Sequence, residues 1–270
     1  SNEGKMKVLY FTATGNSLYV AKSLGGEILS IPQMIKQGIY EFSDEKIGIV
    51  FPLHGWAVPP YVVDFLKKAK FNTNYLFAIT TYGIYSGAVA THLKSVAKES
   101  NLNFSYINKI QMVDNYIPTF DMVKEIKKEP KKEIEKNICI LKKDIEESKN
   151  WILKESFLSK KSASYMFNRE GKPFNKKRLK VHVYGEGIDN YLKVDDSCVQ
   201  CGVCASVCPV SNISLDPTTG KIKLSDKCFM CFACVHSCPK QAIHINGEVN
   251  SNRYRNKNIK LNEIVKANKQ

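Results

Sequence analysis

Apolar residues gather in three short, dense runs over the first eighty positions. Lys7-Val8-Leu9-Tyr10-Phe11, Ile47-Gly48-Ile49-Val50-Phe51 and Leu76-Phe77-Ala78-Ile79-Thr80 are each of strand length, and none alternates strictly with polar residues. Runs that are apolar on both faces predict strands covered on two sides, as in a parallel sheet. Between them the period lengthens. Leu18, Val20, Ala21 and Leu24 share one helical face that closes at Gly25-Gly26, and residues 86–99 read as a second helix. Alternating strand and helix predict an α/β fold, a doubly wound parallel sheet whose ligands sit at the carboxyl ends of the strands.

The pattern changes beyond residue 120. Ile134, Ile138, Leu141, Ile145 and Ile152 recur at helical spacing among Lys and Glu, which predicts a helical extension packed on the sheet or bridging two modules. Cys139 lies beside that stripe and reads as a small core residue. Residues 171–174 (Gly-Lys-Pro-Phe) read as a turn in a linker. Short apolar segments return at 191–194, 213–215, 222–224 and 243–245. The expected organisation is 1–120 as the parallel-sheet domain, 121–190 as helical extension and linker, 191–248 as a small α+β domain, and 249–270 as a basic C-terminal tail.

That small domain holds eight of the nine cysteines, in two copies of one spacing. Cys198, Cys201, Cys204 and Cys208 are followed by Pro209; Cys228, Cys231, Cys234 and Cys238 are followed by Pro239. This is the run that holds a pair of 4Fe-4S clusters in bacterial ferredoxins. Three thiolates two residues apart can each reach one iron of a cube, while the fourth corner faces away from their loop. In such a pair the fourth cysteine serves the other cluster. Cys238 is thus expected with Cys198, Cys201 and Cys204, and Cys208 with Cys228, Cys231 and Cys234. Zinc ribbons need a longer spacer between cysteine pairs, and a disulfide framework belongs to small secreted chains. Cluster assembly requires a reducing compartment, so a cytoplasmic location is expected.

A formal charge of +14 on 270 residues raises the question of nucleic acid. Only Arg169, Arg178, Arg253 and Arg255 among the forty basic residues are arginine, too few for specific base readout. The excess concentrates in residues 121–180. A solvated lysine face accounts for it, or a surface that steers an acidic redox protein partner. No apolar stretch has the length of a membrane span.

A second chemical motif follows the first strand. Thr12, Thr14 and Ser17 supply hydroxyls, and Gly15 and Asn16 supply amides, at the start of a helix, where free N–H groups favour a phosphate. The loop has neither the glycine pattern of dinucleotide folds nor the lysine of an ATP-binding loop. It is similar to the FMN phosphate loop of flavodoxins. Two further loops carry Trp56 and Tyr82, placed where flavodoxins hold ring-stacking aromatics, with Gly83 beside Tyr82. His54 and Tyr85 are the only nearby acid–base candidates, and no catalytic constellation is evident.

Taken together, residues 10–17, Thr81-Tyr82-Gly83, Asp114-Asn115-Tyr116-Ile117-Pro118, the cysteine runs and Arg253-Tyr254-Arg255-Asn256 make the chain resemble one family, the flavodoxin–ferredoxin fusions of anaerobic bacteria. That resemblance implies FMN and two 4Fe-4S clusters, and electron transfer coupling one- and two-electron carriers. Two other expectations stand beside it: a flavin-dependent reductase of a small substrate, and a dicluster ferredoxin on a flavodoxin-like scaffold that no longer binds FMN.

Overall fold

The computed structural model describes residues 6–161 and 191–270; the turn expected at 171–174 lies outside them. The strands are β1 (Met6–Tyr10), β2 (Glu27–Ser30), β3 (Glu41–Ser43), β4 (Lys46–Pro52), β5 (Lys70–Asn72), β6 (Tyr75–Tyr82), β7 (Tyr106–Gln111) and β8 (Trp151–Ile152). Six of them form one sheet in the order β2-β1-β4-β6-β7-β8, and every pairing is parallel. Without β3 and β5, which pair separately, the first five strands follow the flavodoxin order 2-1-3-4-5. The order reverses between β1 and β4, so the crevice for a ligand opens at the carboxyl end of β1.

Successive residues of each central strand point to opposite faces, and both faces are dry. Val8, Tyr10, Val50, Phe77 and Ile79 pack under α1 (Asn16–Leu24), whereas Leu9, Phe11, Ile47, Ile49, Phe51 and Ala78 pack on the other side. That second face is covered by α2 (Ile31–Gln37), α3 (Pro60–Lys68) and α4 (Val89–Glu99). Burial on both faces explains why these strands read as continuous apolar runs.

After α5 (Met122–Lys127), helix α6 (Ile134–Glu146) lies beside α1 and buries Ile134, Ile138, Leu141 and Ile145. Two expectations fail here. Ile152 is not on this stripe: the chain leaves the helix at Glu147, Ser148 turns with φ 51°, and Ile152 becomes edge strand β8 against the opposite core layer. Cys139 is exposed, because it sits one residue beyond Ile138 and faces away from the buried stripe.

The cysteine-rich module contains β9 (Leu192–Val194), α7 (Val203–Ser206), β10 (Ile213–Leu215), β11 (Ile222–Leu224), α8 (Ala233–Ser237) and β12 (Ile243–Ile245). β9 pairs antiparallel with β12, and β10 with β11. Residues 249–270, expected as a basic tail, are folded instead. They end in α9 (Leu261–Asn268), with Tyr254, Asn256, Ile259, Ile264, Ala267 and Asn268 buried.

Gly48 lies at the centre of the sheet, where a Cβ would fall inside the Phe77 ring. Phe77 is itself fully buried and has nowhere to move. Gly48→Ala is expected to lower stability by about 1–3 kcal/mol through overpacking. Chemical denaturation, followed by far-ultraviolet circular dichroism, measures it.

Candidate iron–sulfur and flavin sites

The two cysteine runs are related by a thirty-residue repeat that reaches down to backbone torsions. Gln200, Gly202 and Ser211 have positive φ, and so do their counterparts Met230, Phe232 and Gln241. These left-handed residues wrap each loop around its cavity. Gly202 adopts φ 74° without penalty, whereas Phe232 holds φ 62° against the ordinary preference of a bulky residue. The surroundings hold it there: its ring lies between Tyr116 and Tyr191, at 6.0 and 6.4 Å.

Each loop closes on a cavity, and each cavity is lined by four cysteines. Cys198, Cys201 and Cys204 share one with Cys238; Cys228, Cys231 and Cys234 share the other with Cys208. The structure therefore brings the eight sulfurs together in the crossed grouping expected from spacing. Among the described residues, no three His, Cys, Asp or Glu side chains converge to hold a single metal ion. Sulfurs that surround a volume suit a cube of irons, each iron taking one thiolate.

The electrostatics repeat that grouping. Burial pushes the Cys204 thiol up to about 11, and the sulfurs of Cys238, Cys198 and Cys201 add to the shift. Burial likewise raises Cys228 to about 11 and holds Cys231 and Cys234 well above the ordinary thiol range, each with Cys208 as a contributing neighbour. Thiolates in such surroundings need iron beside them. Backbone amides already point at three sulfurs: Asn212 to Cys208 at 3.2 Å, Met230 to Cys228 at 3.4 Å, and Ala242 to Cys238 at 3.3 Å. Phe229 and Phe232 line the second cavity and are buried. At the first cavity Cys201 is exposed.

The second cavity faces the parallel-sheet unit. The Phe229 ring stacks on Tyr61 at 5.3 Å with the planes 5° apart, and meets Phe11 at 5.7 Å and His54 at 6.1 Å. The Tyr61 hydroxyl donates to the carbonyl of Pro209. On α8, His236 is buried; its Nε2 donates to the Asn115 carbonyl while Nδ1 accepts from the Tyr254 amide, which fixes the tautomer. Burial keeps this ring neutral, with its pKa lowered to about 4.

The three loops singled out for a flavin stand at the carboxyl ends of β1, β4 and β6. Thr12, Thr14, Asn16 and Ser17 are all buried at the start of α1, where the loop was expected to meet a phosphate. Their groups are engaged within the chain. Thr12 Oγ1 accepts from the Gly15 amide, Thr14 Oγ1 accepts from Asn115 Nδ2, and Ser17 Oγ pairs with Thr81 Oγ1. Asn16 Oδ1 accepts from the Tyr254 hydroxyl at 2.7 Å and from Asn256 Nδ2 at 3.1 Å, and its Nδ2 donates to the Val113 carbonyl. The Asn256 amide donates to the Thr14 carbonyl. Gly15, at φ 98°, is so close to Ile259 and Asn256 that an added Cβ would stand 3.0 and 3.2 Å from theirs. The C-terminal segment thus lies against the loop and partners its polar groups.

The aromatic residues of the other two loops have partners within the chain. Trp56, at φ 66° and 37% exposed, packs edge-on against Tyr85, not Tyr82. Lys109 Nζ sits 5.1 Å over the Tyr82 ring. Gly83 is pressed against the Asp114 carboxylate, which accepts from the amides of Ile84 and Tyr116. His54 is kept neutral by desolvation, with its pKa lowered to about 4, and the Tyr85 hydroxyl donates to Ser159.

Sequence reasoning quoted Asn115 and Asn256 only within matching segments, without a partner, and it missed Asn268. The Asn268 side chain is fully buried, and its Nδ2 donates to the Thr12 carbonyl at 3.0 Å and the Val207 carbonyl at 3.2 Å, joining both units. Asparagines scattered over 150 positions carry no local signal; only the Thr12–Ser17 loop hinted that polar partners would be needed.

Residues 197–242 match the family profile of the 4Fe-4S dicluster domain. The chain carries that domain. Solved structures that it resembles include a flavoprotein in complex with FMN from Lactobacillus acidophilus NCFM, at 16% identity over 39% of this chain and 93% of that one, TM-score 0.28. A flavodoxin from the domain Archaea shares 15% identity over 50% of this chain and 99% of its own, TM-score 0.27. The rubredoxin:oxygen oxidoreductase of the anaerobe Desulfovibrio gigas shares 13% identity over 50% of this chain and 36% of its own, TM-score 0.31. No curated protein matches the chain.

Asn268→Ala would leave two buried carbonyls without their donor. It is expected to cost about 1–3 kcal/mol per unpaired group, read as a lower denaturation midpoint. Faster proteolysis within residues 249–270 is the accompanying local sign.

Proposed function

We propose that this protein is an electron carrier that holds two 4Fe-4S clusters, with the flavodoxin-like unit serving as the platform on which the dicluster module is docked. The observation that carries this reading is the pair of cavities, each ringed by three cysteines of one run and the fourth of the other. Cys198, Cys201, Cys204 and Cys238 would hold one cluster, and Cys208, Cys228, Cys231 and Cys234 the other. When bound, each cluster supplies reversible one-electron exchange. The chain's part is to bind, insulate and tune. Phe229, Phe232 and Met230 exclude water from the inner site, and the amides of Asn212, Met230 and Ala242 favour negative charge on the sulfurs they address. The exposed Cys201 side is the shorter way out for an electron, and the basic chain suits an acidic redox protein as partner. Assembly of such clusters places the protein in a reducing compartment, the cytoplasm. Among the described residues no helix is long and apolar enough to cross a membrane.

Anaerobic reconstitution followed by iron and sulfide assay tests the reading: about eight of each per chain is expected. Cys238→Ser is expected to disrupt the cluster of Cys198, Cys201 and Cys204, leaving its sequence neighbours' cluster intact in cluster-resolved electron paramagnetic resonance. A chain that takes up only single metal ions contradicts the proposal.

A second reading, the FMN relay expected from the sequence, is favoured by one observation: the threonine-rich loop stands at the strand-order reversal, where flavodoxin-like sheets bind FMN. It requires residues 254–268 to leave the loop. Wild-type protein is expected not to quench FMN fluorescence at micromolar concentrations; stoichiometric quenching would favour the relay instead. The small-substrate reductase has less support, since His54, one of its two candidate acid–base groups, is packed beside Phe229.

A further inference from the structure

Tyr191 enters the cysteine-rich module one residue before β9, and nothing in the sequence reading gave it a role beyond the strand. In the fold it lines the inner cavity together with Cys208, Cys228, Cys231 and Cys234. The side chain is 7% exposed, and its ring is stacked within 20° of the Phe232 plane. Its backbone carbonyl is used by the Asn246 amide, which fixes where the side chain leaves the chain. The hydroxyl, by contrast, is buried and has no hydrogen-bond partner among the described residues. A buried, unpaired hydroxyl is costly, and such groups in folded proteins find partners. Burial raises the phenol above its ordinary range, and Tyr116, Cys228 and Glu248 add to that shift.

Resting on the two-cluster reading above, we propose that the Tyr191 hydroxyl donates a hydrogen bond to a sulfur of the inner cluster, either an inorganic sulfide or Cys228 Sγ, and thereby sets that cluster's potential. The acceptor class follows from the surroundings. The cavity wall is otherwise mostly apolar, with Leu192, Ile213, Phe229 and Met230; Asn212 also lines it, and its Oδ1 already accepts from the Ser225 hydroxyl and the Lys227 amide, which leaves the cysteine sulfurs as the acceptors favoured here. A donor aimed at sulfur stabilises the reduced cluster, which carries one more negative charge, more than the oxidised one. The outer cavity, lined by Val199, Gln200 and Lys240 among others, includes no tyrosine. The two clusters would therefore differ in potential, with Tyr191 raising the inner one and making it the preferred resting place of the first electron.

Tyr191→Phe keeps the ring and its packing on Phe232 and removes only the donor. In full-length, reconstituted protein, a redox titration monitored by electron paramagnetic resonance is expected to show one cluster shifted to more negative potential and the other unchanged. Pulsed measurements on the reduced protein in deuterium oxide are expected to lose one exchangeable deuteron coupling. Both potentials unmoved, with iron content intact, would overturn the role of Tyr191 while leaving the two-cluster reading standing. An iron deficit in wild type and variant alike would instead overturn the reading on which the role rests.

Discussion

The start of the first helix imposes the constraint that organises this molecule. A loop of hydroxyls and an asparagine at a helix N-terminus is polar wherever it lies, and when it is buried every group must be met. Thr12, Thr14, Asn16 and Ser17 are buried, and the partners come from Asn115, Thr81, Tyr254 and Asn256 of the same chain. Because Tyr254 and Asn256 follow the dicluster module in sequence, satisfying this loop also fixes that module in space. His236 ties the same knot from the other side by bonding Asn115 and the Tyr254 backbone.

Apolar packing then makes the junction continuous. The core layer under α1 runs on without interruption into Tyr191, Val207, Ile213, Phe232 and Ile243 of the module. The opposite layer takes in Phe229 through Tyr61 and Phe11. Helix α9 completes the seal: Gln33 donates to the carbonyls of Ala267 and Lys269, and Lys22 pairs with Glu263. The last pair is partly exposed and contributes little; the buried Asn268 and Ile264 carry the contact. The inner cysteine cavity thus belongs to the body of the protein, while at the outer one Cys201 is exposed.

Much of this was legible in the sequence, for physical reasons that differ by element. The three apolar runs were readable because strands buried on both faces cannot alternate, and the cysteine spacing because the geometry of a cube dictates it. The crossing of Cys208 and Cys238 followed from the same geometry. By contrast β2, with burial confined to its end, and the half-buried β7 gave weaker patterns. Ile152 kept helical spacing by coincidence after the chain had turned at Ser148. The chemistry of residues 12–17 was legible as a polar loop at a helix N-terminus. The side chains that meet it in the fold were not, since Tyr254 and Asn256 lie more than two hundred residues away. Long-range polar pairing leaves no periodicity to read.

Amide hydrogen exchange on the cluster-loaded chain, with and without added FMN, tests most directly whether residues 254–268 are the resident occupant of the Thr12–Ser17 loop. The account predicts slow exchange in both segments, unchanged by millimolar FMN. Rapid exchange in residues 254–268, or FMN protecting the loop while releasing that segment, would contradict it.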